Sequence, residues 1–278
     1  ARRILSRNAR RLLLNDTRYA VLESIKGELV TQVLVDEVTD FSAVQVACMA
    51  ELAHPIFNSV FCSGDLKQRV TREGMNSFAE FQWIAGDFER KPVSVGYRQS
   101  GPLRRLGSEL ARLMDGEASE LTAPNGVEDV NIPPLLLEGS GLEQVASWLS
   151  DRIREIERNL RQCPSVAIFV DGDEQIDPLV ALLRPLLMAR NLSVVGCKEG
   201  KVVGTEQEIR VFDLRHVKGL EFEAVFFVAI DRLAERQPEL FDKFVYVGAT
   251  RAATYLGITC ERRLPSRLEP LRTHFRTC

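Results

Sequence analysis

The feature that most constrains this chain is an alternation. Short runs rich in β-branched and aromatic residues are separated by longer stretches with helical periodicity. The predicted strands are Thr31–Val35, Ser59–Ser63, Val93–Val95, Val166–Val170, Leu192–Val195, Ile209–Leu214, Ala224–Ala229 and Tyr255–Thr259. Their near-continuous apolar character predicts burial on both faces, as in a parallel sheet covered by helices. The clearest helix runs from Leu142 to about Leu160, with Leu142, Val145, Ala146, Leu149, Ile153, Ile156 and Leu160 on one face. Ser140 and Glu143 have capping-box spacing at its start. Alternating elements of these two kinds predict an α/β architecture. A break falls near residues 115–140, where Asp115–Glu120 and then Pro124–Pro134 are turn-rich and acidic and read as surface loop.

Composition narrows the class without naming an activity. The 278 residues are 45% hydrophobic and 27% charged, as in an ordinary globular protein, and no apolar run is long enough to span a bilayer. The basic start, Ala1-Arg2-Arg3-Ile4-Leu5-Ser6-Arg7, is not followed by a signal-peptide core. Six cysteines occur without CxxC pairs or histidines at metal-ligand spacing, so reduced thiols and a cytoplasmic location are expected. Cys62, inside Val60-Phe61-Cys62, reads as a small core residue. The net charge of −3 neither supports nor excludes nucleic-acid binding, because a basic groove can sit on an acidic protein.

Five short stretches carry candidate chemistry. In Val33-Leu34-Val35-Asp36-Glu37-Val38-Thr39-Asp40, an apolar strand delivers two carboxylates at its C-terminal end, where open α/β sheets bind ligands. Nucleotide hydrolysis needs one carboxylate on Mg²⁺ and a base or water-positioner near the γ-phosphate. A second strand ends in Gly64-Asp65-Leu66-Lys67-Gln68-Arg69, where Gln68 is placed to sense a phosphate. Then comes Gly96-Tyr97-Arg98-Gln99-Ser100, pairing a stacking aromatic with a phosphate-binding cation. His216-Val217-Lys218-Gly219-Leu220-Glu221-Phe222 precedes a buried strand, and Tyr246-Val247-Gly248-Ala249-Thr250-Arg251-Ala252 follows an amphipathic stretch. Taken singly, each is also readable as a polar turn, a surface pair or an exposed cation at a helix end.

In their order and wording the five stretches resemble motifs II to VI of the UvrD/Rep helicases of superfamily 1, over about Thr31 to Thr259. The resemblance implies two RecA-like lobes of the P-loop NTPase type with mainly parallel sheets, the first incomplete, spanning residues 1–92 and 93–278, with ATP between them. It implies a 3′–5′ translocase driven by ATP and Mg²⁺ on single-stranded DNA, RNA not being separable from DNA on sequence. Asp36 would hold Mg²⁺, Glu37 would activate water and Gln68 would contact the γ-phosphate. Tyr97 would stack on adenine, Glu221 would bond the ribose, and Gly219 would permit close backbone approach. Arg98 and Arg251 would stabilise charge on the γ-phosphate, and His216 would lie toward the DNA.

The sequence also departs from that pattern. No G-x-x-x-x-G-K-[ST] loop occurs in the 278 residues, so the phosphate cradle is expected on a further portion of the same polypeptide or on a second subunit, and this chain alone is expected to be inactive. Thr39 stands where the family usually has glutamine, and Thr71 and Glu73 stand where it has aromatics that stack on bases. Phe78, Phe81 and Trp83 lie nearby and read as helix core. The interval from Ser100 to Ile209 leaves no room for a large inserted subdomain. The competing expectation is a non-catalytic module that uses a helicase-like core to bind nucleic acid or protein.

Overall fold

The computed structural model describes residues 29–54, 56–69, 74–75, 77–84, 89–93, 95–115, 122–123, 130–162, 164–205, 208–216 and 219–278. The chain divides into two compact units, residues 1–91 and 92–278.

In the first unit, β1 (Gln32–Val35) pairs in parallel with β2 (Ser59–Cys62). Between them lie a 3-10 turn at Val38–Asp40 and helix α1 (Ala43–Ala50). Ser42 caps α1 through a reciprocal box with Gln45, which satisfies two end groups that would otherwise lack partners. Helix α2 (Phe78–Ile84) follows a second 3-10 turn at Leu66–Gln68. The core is small: Val35, Val38, Val46 and Met75, with Val33, Phe41, Met49, Cys62 and Phe81 packed around it. Cys62 and Phe81 thus take the core positions expected of them, and Phe78 stacks on Phe81. The side chain of Trp83, and all of Thr71 and Glu73, lie outside the described residues.

Burial on both faces, expected for every strand, does not hold here. Leu34 and Phe61, partners across the β1–β2 register, are 68% and 59% exposed. Successive strand residues alternate faces, so the face bearing Val33, Val35 and Cys62 carries the core and the Leu34–Phe61 face is left to solvent.

The second unit is built on a seven-stranded sheet in the order β5-β6-β4-β7-β8-β3-β9. Its strands are β3 (Leu135–Leu137), β4 (Val166–Val170), β5 (Val194–Cys197), β6 (Ile209–Asp213), β7 (Phe222–Phe227), β8 (Ala252–Thr259) and β9 (Arg276–Thr277). Every pairing is parallel. Central β4 is buried at all five positions, as its unbroken apolar sequence predicts. The helices are α3 (Gly101–Asp115), α4 (Leu142–Leu160), α5 (Ile176–Met188), α6 (Ile230–Arg236) and α7 (Phe241–Ala249). Leu149 and Ile153 of α4 and Leu179 and Leu183 of α5 pack with Ile168, Val211 and Phe226 of the sheet in one core. A parallel α/β fold of this kind is what the alternation of elements and the proposed RecA-like lobe require.

Several details correct the sequence reading. Leu135–Leu137, directly after the expected surface loop and not among the expected strands, is a strand between β8 and β9, with Leu136 fully buried. Three residues are too few to show a period, so only the pairing reveals them. The strand expected at Val93–Val95 reduces to a single bridge between Val95 and Thr122, Ser94 lying outside the described residues. β5 begins at Val194, two residues later than expected. The N-cap of α4 is Gly141, whose N–H donates to Gln144 Oε1 at 3.2 Å, while Ser140 Oγ instead donates to the Glu138 carbonyl.

Candidate nucleotide site

In the first unit the predicted residues gather at the C-terminal ends of β1 and β2. Asp36 follows β1, and its Oδ1 accepts from Ser63 Oγ at 2.6 Å and from the Glu37 N–H at 2.9 Å. Glu37 adopts a left-handed backbone, φ 49°, uncommon for a side-chain-bearing residue and a mark of a constrained turn. Val38 N–H donates to the Ser63 carbonyl at 2.8 Å and Ser63 N–H to the Val35 carbonyl at 2.9 Å. Thr39 is buried and its Oγ1 donates to the Asp65 carbonyl at 3.2 Å, so threonine makes its own link between the two stretches. Gly64 lies so close to Val38 that a Cβ would stand 3.2 Å from its backbone nitrogen, which explains the glycine. Gln68 Nε2 donates to Asp65 Oδ2 at 3.2 Å, and Asp65 Oδ1 accepts from Lys67 N–H at 2.8 Å. Asp65 therefore orients Gln68. A carboxylate in a turn has no sequence signature of its own, so this role shows only in the structure. An exposed carboxylate beside a hydroxyl at a strand end is a hard-oxygen site of the type Mg²⁺ takes, so Asp36 fits the ion.

In the second unit Glu221 and Arg251 immediately precede β7 and β8, which are parallel neighbours, so both lie at the N-terminal edge of the sheet. The Arg98 guanidinium forms an ion pair with the Glu221 carboxylate. Tyr97 is 80% exposed, leaving its ring open for stacking. Gly219 has φ +78°, which favours glycine, while a Cβ there would meet nothing within 4 Å; its need is conformational. Arg251 is only 5% exposed, which rules out the exposed helix-end cation. Its Nε donates to the Val247 carbonyl at 3.3 Å at the end of α7.

His216 is exposed beyond the C-terminal end of β6, at the opposite edge of the sheet from Glu221 and Arg251. Val217 and Lys218 lie outside the described residues. Asp173, Asp213 and His216 bring possible ligand atoms within 4.8 Å of one another. Both oxygens of Asp213 already accept from Arg215, and the hydrogen bond to this carboxylate raises the arginine's pKa. That edge is therefore an ion-paired surface rather than a ready cation site.

Residues 208–259 match the family model of the UvrD-like helicase C-terminal domain. The match takes in β6, Gly219, Glu221, β7, α7, Arg251 and all of β8. A solved structure, the C-terminal domain of a possible DNA helicase from Lactobacillus plantarum WCFS1, is similar at 17% identity and a TM-score of 0.49, covering 66% of this chain and 99% of that one. No curated protein matches. Among the described residues no helix is long and apolar enough to cross a membrane.

Proposed function

We propose that this chain is part of an ATP-dependent 3′–5′ helicase or translocase of superfamily 1 acting on single-stranded DNA. The observation that supports the reading best is the N-terminal sheet edge of the second unit. There the Arg98–Glu221 pair and buried Arg251 lie within or beside the matched region. Two cations and a carboxylate on adjoining segments are what a nucleoside triphosphate needs: charge for its phosphates and an acceptor for its ribose.

In this reading Asp36 holds Mg²⁺, which neutralises phosphate charge when bound. Glu37 takes the proton of the attacking water, and Gln68, oriented by Asp65, contacts the γ-phosphate. Tyr97 stacks on adenine, and Gly219 shapes the turn that brings Glu221 to the ribose. Arg98 and Arg251 stabilise the charge that develops on the γ-phosphate. The phosphate cradle comes from outside these 278 residues, which hold no G-x-x-x-x-G-K-[ST] loop. That same absence favours one other reading, a non-catalytic binding module.

The test uses the full-length protein that bears this chain. Steady-state ATP hydrolysis is measured with and without single-stranded DNA, alongside unwinding of duplexes with 3′ or 5′ tails. DNA-stimulated hydrolysis and unwinding of the 3′-tailed duplex are expected. Binding of DNA with no hydrolysis would sink the motor reading in favour of the module.

A further inference from the structure

We infer that Gln99 is a positioning residue that holds Arg98 and Arg251 in a fixed relation, an inference that rests on the nucleotide-hydrolysing role proposed above. The Gln99 amide donates from Nε2 to two carbonyls, Ala249 at 3.2 Å and Ala252 at 3.1 Å. These carbonyls flank Thr250-Arg251, the turn between the end of α7 and the start of β8. The next residue, Ser100, donates its N–H to the Ala253 carbonyl at 2.8 Å. Three hydrogen bonds from two consecutive residues therefore pin the segment that follows Arg98 to the turn that carries Arg251.

The residue type matters. The last carbonyls of a helix lack partners inside it, and Ala249 is the last residue of α7. One side-chain amide has two N–H donors on a single nitrogen and can serve that carbonyl and the strand's first carbonyl together. A serine has one donor, and a glutamate has none and would set its charge against two carbonyl oxygens. Gln99 is half-buried with its amide engaged by the Ala249 and Ala252 carbonyls, whereas its neighbours Tyr97 and Arg98 are exposed. Its effect on hydrolysis thus passes through the two arginines. Stabilisation of a phosphoryl-transfer transition state is geometric, and a misplacement of about 1 Å costs roughly a hundredfold.

The experiment uses the full-length protein and measures DNA-stimulated ATP hydrolysis, thermal melting and nucleotide binding. The variants are Gln99→Met, which keeps the volume, Gln99→Glu, which keeps the shape, Arg98→Ala, Arg251→Ala and the Gln99→Met/Arg251→Ala double. The Gln99 variants are expected to lose about tenfold or more in kcat with KM for ATP within about threefold, and Gln99→Met is expected to melt closer to wild type than Gln99→Glu. In the Arg251→Ala background, Gln99→Met should have little further effect, because groups acting as one unit are non-additive. Wild-type kcat in both Gln99 variants alongside an impaired Arg251→Ala would overturn the positioning role alone. So would losses that simply multiply in the double variant. Wild-type kcat in both arginine variants would overturn the hydrolytic reading, and the role of Gln99 with it.

Discussion

The Phe222 N–H donates to the Arg251 carbonyl at 2.9 Å, joining the first residue of β7 to the residue before β8. Just beyond, the two strands slip: Phe222 pairs with Ala252, but Ala224 pairs with Tyr255. Such irregularities interrupt the ladder and re-aim nearby groups. Here the carbonyls of Ala252 and Ala253 accept from Gln99 and Ser100. Arg251 is thus tied to the start of β7 by a backbone bond, and it follows the last residue of α7 by two positions, so its placement depends on how the end of α7 packs.

Gly248 in α7 tests that dependence. A Cβ there would stand 2.5 Å from the Phe227 ring and 3.0 Å from Leu214, both buried. A fully packed ring has nowhere to move, so Gly248→Ala should destabilise the chain by about 1–3 kcal/mol despite alanine's better helix propensity. Chemical denaturation of the 278-residue chain measures it. An unchanged or raised midpoint would show that the contact relaxes freely.

The Arg98–Glu221 pair should behave differently. Both side chains are 49% exposed, and exposed pairs gain little once solvent screens them. Glu221→Gln and Arg98→Ala should each shift stability by about 1 kcal/mol or less, with a similarly small coupling in a double-mutant cycle. A larger coupling would mean that the pair is a structural tie rather than two groups placed for a ligand.

The parallel α/β class and the strands β4 and β7 were legible because the apolar runs Val166–Val170 and Ala224–Ala229 leave few alternatives. The helicase resemblance was legible from the order and wording of the five stretches, the last two of which lie in the matched region. Two kinds of feature were not. β3 has three residues and takes its identity from β8 and β9, so it carries no local signal. Asp65 and Gln99 act through hydrogen bonds to a neighbouring turn, and nothing in Asp65 or Gln99 as letters says which carbonyl or amide they will meet. The exposure of Leu34 and Phe61 was hidden for the same reason, since a strand's sequence does not say how many of its faces are covered.

A pH effect is expected far from the nucleotide groups. Glu138 accepts from Arg272 at 2.8 and 3.0 Å and from the Leu264 N–H at 2.7 Å. The Arg272 hydrogen bonds, ahead of the Leu264 bond, hold its carboxyl at about 2 against an ordinary 4.5. A depressed carboxyl pKa stabilises the fold above the unfolded value, and that stability is lost as pH falls through the window from about 4.5 to about 2. Glu138→Gln should lower stability at pH 7 and narrow its deficit relative to wild type as pH falls through that window. Equal pH slopes in denaturation of the two proteins would contradict the assignment.

The 278-residue chain alone should not turn over ATP at a measurable rate, with or without single-stranded DNA. Phosphoryl transfer is catalysed mainly by positioning and charge, and the loop that cradles the phosphates is not among these residues. Turnover by the purified chain at roughly 1 per second or more, within the usual enzyme range, would show that another element replaces the loop.

The catalytic roles proposed for Glu37 and Arg251 are separable in the full-length protein. Glu37→Gln keeps the size and the hydrogen-bonding capacity of the side chain but removes the base, so hydrolysis should be abolished while ATP and single-stranded DNA still bind. Arg251→Ala should lower hydrolysis on the order of a thousandfold, the scale seen when such an arginine is removed. Nucleotide affinity should fall much less, because the guanidinium acts chiefly on charge that develops in the transition state. Burial adds a second consequence for Arg251. At 5% exposure it packs against the end of α7, so its removal should also cost stability, which a purely exposed cation would not. Melting and turnover must therefore be read together. A variant that melts early yet hydrolyses ATP at the wild-type rate below its transition would make Arg251 a packing residue. Near-wild-type turnover in Glu37→Gln as well would leave the site without its base and its finger, and a binding module would then be the better account of the chain.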